Sequence, residues 1–137
     1  MCCEIWGNAE QLLELFCVDC SKNGAIDFIG LAEIGGELLQ FPEYGCSFYD
    51  VAVALMRQHK LSPLVFWSRI KRHCAALMNA DKSTLEALGL KLKGDKPTAY
   101  EVTAAVAAAI AARGGGSSEY AAKYAAIIAA GKQKGRG

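Results

Sequence analysis

Proline is scarce, with only three residues in a chain of 137, and alanine is abundant in several long stretches, a combination that favours helices. The chain also lacks any run of about 18 consecutive uncharged apolar residues, so a membrane-spanning helix is not expected. The opening MCCEIWGN has neither a basic flank nor an apolar signal core, and a cytoplasmic location is the expectation. Histidine is limited to His59 and His73, and no Ser/His/Asp arrangement stands out, which leaves little acid–base equipment for catalysis. Gly114-Gly115-Gly116 lacks both the following Lys-Ser/Thr and the preceding strand of a phosphate loop. The pair Cys17-x-x-Cys20 has no second such pair and no finger-like histidine spacing, so the six cysteines are expected as reduced thiols rather than as a metal or redox site. No catalytic residue, metal or cofactor is therefore assigned, and an enzyme is not expected.

What the chain does have is a charge asymmetry hidden beneath a net +1. Residues 1–50 hold nine acids (Glu4, Glu10, Glu14, Asp19, Asp27, Glu33, Glu37, Glu43, Asp50) against Lys22 alone, a balance of −8. The remainder holds fourteen bases and five acids, or +9, and between Arg57 and Ala80 there are five cations, two histidines and no acid. A local field of one sign attracts an anionic partner whatever the global sum.

Hydrophobic spacing and cap residues divide the chain into helices. The first is expected from Asn8 to about Ser21, and KNGAID is read as a turn. A second helix follows through Leu31, Ile34, Leu38 and Leu39, weakened by Gly35-Gly36 and stopped near Pro42. Ser47-x-x-Asp50 opens a third, and Ser62-Pro63 opens a fourth that runs to about Met78. A short fifth helix lies between Ser83-x-x-Glu86 and Gly89, and Thr98-x-x-Glu101 starts a sixth through Ala112. The spacing thus predicts an all-α, six-helix domain over residues 1–113, a Gly/Ser hinge at 114–118, and a C-terminal helix with a basic, unstructured tail at 119–137. That last helix is expected to pack on the domain or on another subunit.

The third and fourth helices, separated by about three residues, have the spacing of a helix-turn-helix. Projected at 100° per residue, Phe66, Trp67, Ile70, Cys74, Leu77 and Met78 gather on one side of the fourth helix. Val65, Ser68, Arg69 and Arg72 gather on the other. Those four suit a major groove: arginine can clamp guanine, serine can serve base or phosphate, and valine can meet a thymine methyl. Arg57, Lys60, Lys71 and His73 are the candidate phosphate contacts.

Three segments carry a resemblance: GAIDFIGLAEIGGELL, FYDVAVALMRQHKLSPLVFWSRIKRHCAAL and KGDKPTAYEVTAAVAAAI. In order and spacing they are similar to the C-terminal effector domain of the sporulation-initiation response regulator family, over residues 9–112. The resemblance implies an all-α, stand-alone regulator of transcription, without a receiver domain, that binds duplex DNA, often as adjacent copies and so as a homodimer. Arg69, Arg72 and His73 match the family's recognition helix, whereas Phe66 and Ser68 stand where the family has arginine and glutamate. The competing expectation keeps this fold and drops the DNA. In that case acidic residues 1–50 would dock a protein inhibitor, of the kind found in phages and mobile elements, on a nucleic-acid-handling partner.

Overall fold

Asn8, Ser47, Ser62 and Thr98 each accept a backbone N–H three residues ahead, and each starts a helix. Ser47 with Asp50 and Thr98 with Glu101 close complete capping boxes. The computed structural model describes the backbone of residues 6–94 and 96–136. Among these, the α-helices are α1 (Ala9–Leu15), α2 (Asn23–Leu39), α3 (Phe48–His59), α4 (Pro63–Met78), α5 (Lys82–Ala87), α6 (Ala99–Arg113) and α7 (Ser118–Arg136). A 3-10 turn at Pro42–Tyr44 completes the elements, and the described residues contain no strand, as the all-α expectation had it. None of the described helices is long and apolar enough to cross a membrane. Cys2, Cys3 and the side chains of Lys134 and Arg136 lie outside the described residues.

The centre of the fold is α2, which packs against α1, α3, α4, α6 and α7. Ala25, Phe28, Leu31, Ala32, Ile34 and Leu38 are all buried on it, the pattern of a helix that is apolar nearly all round. Gly35 and Gly36, expected to weaken this helix, allow its close approach to α3 and α6 instead. A Cβ at Gly36 would lie 2.7 Å from Ile110 of α6, and one at Gly35 would lie 2.9 Å from Phe48 of α3. The cost of a glycine inside a helix, about 1 kcal/mol, is offset here by neighbours that only a bare backbone admits.

Several boundaries differ from expectation for local reasons. α1 stops at Leu15 rather than Ser21, because Cys17 adopts a left-handed φ of 60° and Val18 N–H bonds back to Leu13. The Asp19 carboxylate then takes both the hydroxyl (2.6 Å) and the N–H (3.0 Å) of Ser21, a side-chain turn that competes with helix. KNGAID is not a turn: α2 already begins at Asn23. The N-cap of α5 is Asp81, so the Ser83–Glu86 box is not used, although Gly89 closes the helix at φ +87° as expected.

The Gly/Ser stretch read as a hinge is tied down. Gly116 N–H donates to Gln40 Oε1 at 2.8 Å, Ser117 N–H donates to the Glu37 carboxylate, and the Tyr44 hydroxyl meets that of Ser118 at 3.3 Å. α7 then runs helical through Arg136, in place of an unstructured tail. It lies on the domain, burying Ala121 and Ile128, with Lys132 Nζ 3.2 Å from Asp50 Oδ1 on α3.

At the other end of the chain Trp6 is fully buried. Its Nε1–H donates to Leu88 O at 2.8 Å, while the Arg113 guanidinium stacks 3.9 Å over the ring and donates to Trp6 O at 2.7 Å. Removal of this side chain opens a large cavity, leaves the Leu88 carbonyl without its donor and takes the ring from beneath the Arg113 guanidinium. Trp6→Ala is expected to cost about 3–5 kcal/mol in urea unfolding, and Trp6→Phe less than half of that.

Asp50 links stability to pH. Burial pushes its carboxyl up, but the Ser47 N–H and the Lys132 ammonium outweigh that and hold it below the usual carboxylate value. A carboxyl depressed in the folded state contributes stability above its unfolded pKa and loses it as pH falls through the folded value. Asp50→Asn should therefore lower the Tm at neutral pH, and its deficit should shrink below about pH 4. Thermal melts showing a constant deficit from neutral to acidic pH would contradict this assignment.

Candidate nucleic-acid interface

Lys60 ends α3 in the left-handed region, at φ 55° and ψ 45°, a conformation that costs a non-glycine residue about 1–2 kcal/mol. Its N–H bonds to Arg57 O, and Leu61 N–H reaches back to Met56 O at 2.9 Å, so the chain reverses within three residues. Ser62 then caps α4, whose first residue, Pro63, has its φ preset for a helix.

The two faces of α4 follow the helical projection. Phe66, Ile70, Cys74 and Leu77 are buried. Trp67, half-buried, lies edge-on to Phe66 (centroids 5.2 Å) and tilted against Tyr100 of α6 (5.4 Å). Leu64 (79% exposed), Val65, Ser68, Lys71 and Arg72 face outward, and no acid stands among them.

Arg69 departs from this set. Its Nη2 lies 3.3 Å from Oδ2 of Asp27, a residue of α2 whose side chain is 1% exposed. Oδ2 has no aligned hydrogen-bond donor, so this contact is an ion pair that supplies charge compensation rather than a directed bond. The other carboxylate oxygen lies 3.1 Å from Nδ1 of His59, at the end of α3. One buried carboxylate thus joins α2, α3 and α4. Asp27 and His59 were missed in the sequence because charge position along a chain does not say which acid folds inward. The one available signal was that Asp27 stands amid apolar residues in AIDFIGLA.

His73 is likewise withdrawn from the candidate phosphate contacts. Its Nδ1–H donates to the Arg69 carbonyl at 3.0 Å, and a Cβ on Gly24 of α2 would collide with both groups. His73 is therefore packed at the closest approach of α2 and α4. Arg57 is exposed, but it lies over Gly131 of α7, where a Cβ would stand 3.2 Å from its Nη1. Lys60 and Lys71 are exposed at the turn and on α4. The structure therefore brings Val65, Ser68, Lys71 and Arg72 together on one helix, with Lys60 at the turn before it. Arg57 is set toward α7, and Arg69 and His73 toward α2.

The acids of the first half are not one patch. Asp27 is buried, Glu33 is half-buried with its carboxyl pushed up by burial, Glu37 bonds to Ser117, and Asp50 pairs with Lys132. Glu10 and Glu14 of α1, and Asp19 in the turn after it, remain exposed. Beside them burial, reinforced by these three charges, pushes the Cys20 thiol up. Cys17 and Cys20 occupy a turn, not one helix face, and no group of three metal-ligating side chains converges among the described residues. Burial beneath α4 pushes the Cys74 thiol up to about 12, which leaves it protonated and unreactive.

No family model, no curated protein and no solved structure matches the chain.

Breaking a buried ion pair by removing one partner strands the other charge, so Asp27→Asn should cost about 3 kcal/mol of stability in urea titrations. Replacing Asp27 with Leu and Arg69 with Met together should recover most of that loss. A single-variant cost below about 1 kcal/mol would show that Asp27 does not bind the three helices together.

Proposed function

We propose that the chain is a transcriptional regulator that binds duplex DNA by a helix-turn-helix, with α4 as the helix that enters the major groove. The observation that carries this reading is the acid-free outward face of α4, reached from α3 through a three-residue turn. Arg72 is suited to the acceptor edge of guanine, Ser68 to a base edge or phosphate, and Val65 to a thymine methyl. Lys60 and Lys71 stand to the side as phosphate contacts, which position without specifying. Arg69 has a different part in this reading: held by Asp27, it sets the angle of α4 and leaves Arg72 as the arginine on the reading face. The resemblance to the sporulation-initiation effector domain supports the same conclusion, including adjacent copies on one DNA. Base preference follows this chain's own residues, since Phe66 is buried where the family carries arginine.

The protein-docking alternative has less support, because Asp27, Glu33, Glu37 and Asp50 are used inside the fold.

Selection of bound duplexes from a random pool, followed by anisotropy titration of the winner across a salt series, tests the proposal. Arg72→Ala should cost about 1–3 kcal/mol on the selected site and relax one base position. Lys71→Ala should weaken all duplexes alike and reduce the salt slope by about one. The absence of binding to any duplex at low salt would falsify the reading.

A further inference from the structure

Several of the α7 residues that meet the domain are small. Ala121 and Ala125 pack against it at the start, and Ala130 and Gly131 line its far end. Side chains this short leave space against α3, and a groove of about 960 Å³, partly open to solvent, remains between the two helices. Its walls are chiefly aliphatic: Ile34, Val51 and Leu55 on one side, Ile127 and Ile128 on the other, with Tyr124 beside them. Water beside apolar walls is displaced favourably by an apolar ligand chain. These walls offer water little, while the volume lies in the range that takes a small ligand.

Charge at the rim selects the kind of ligand. Arg57, Lys123 and Lys132 line the cavity against one acid, Asp50. Asp50 is already satisfied by Lys132 at 3.2 Å, which also latches α7 across the opening. Arg57 makes no ion pair among those of the described residues, and its guanidinium packs over the bare backbone of Gly131, where a Cβ would stand 3.2 Å from Nη1. A guanidinium presents a planar fork of donors that a carboxylate matches in pairs.

We infer that the gap between α3 and α7 is a binding site for a small amphiphilic carboxylate, with its saturated chain between the helices and its head on Arg57. The site stands whether or not α4 reads DNA.

The test is titration of the full chain with decanoate, decanol and decyltrimethylammonium, the two ionic ligands below their micelle concentrations and decanol below its solubility limit, followed by methyl and amide chemical shifts. Decanoate should produce saturable shifts at Val51, Leu55 and Ile127 with one molecule bound per chain. Decanol should bind about fivefold more weakly, and the cationic amphiphile more weakly still. Arg57→Gln should abolish the advantage of decanoate over decanol. Ala54→Phe, which fills the cavity from α3, should weaken all three ligands; if that variant does not fold, Ala130→Leu fills it from α7. Equal affinity for the three head groups, no saturable shift at the cavity residues, or unchanged binding in a folded cavity-filling variant would each overturn the assignment.

Discussion

A single carboxylate, that of Asp27, sets how the three central helices lie. It is buried almost completely, and a charge removed from water is tolerated only beside compensating charge. The compensating charge comes from Arg69 in the middle of α4, while Nδ1 of His59 at the end of α3 lies against the other oxygen at 3.1 Å. One turn before Asp27 on α2, Gly24 brings the backbone against Arg69 and His73, so a bare backbone sets the distance where the ion pair sets the angle. The left-handed Lys60 connects two helices whose mutual position is already determined by these contacts.

The charge asymmetry along the chain acquires a structural meaning. Acids of the first half meet bases of the second within the fold: Asp27 with Arg69, and Asp50 with Lys132. Part of what looks in one dimension like two oppositely charged surfaces is internal pairing. What remains outward on α4 is cationic, because its acid-free stretch is long enough to cover both the inner contact and the outer face.

Much of this was legible in the sequence, and for clear reasons. Caps are local chemistry, so Ser47, Ser62 and Thr98 marked helix starts correctly. Periodicity is also local, so the buried side of α4 could be drawn from spacing alone. Arg69 was misplaced because a projection gives the direction in which a side chain leaves its helix and says nothing of what stands opposite. Its partner lies more than forty positions away on a helix whose start was itself read as a turn. Gly35 and Gly36 were read as weaknesses for the same reason: their value depends on Phe48 and Ile110, which no local rule brings near. The left-handed Cys17, which ends α1 early, has no sequence signature, since cysteine is not a usual residue for that conformation.

The two anchors of Trp6 carry a consequence for the order of assembly. Leu88 lies 82 positions downstream and Arg113 lies 107. Such distant partners are slow to find, because most of the chain must be closed into a loop before the contact yields anything. During synthesis the indole has neither its hydrogen bond nor its stacked guanidinium until Leu88 and Arg113 have followed it out. A residue made long before its partners is thus among the last to reach its native surroundings.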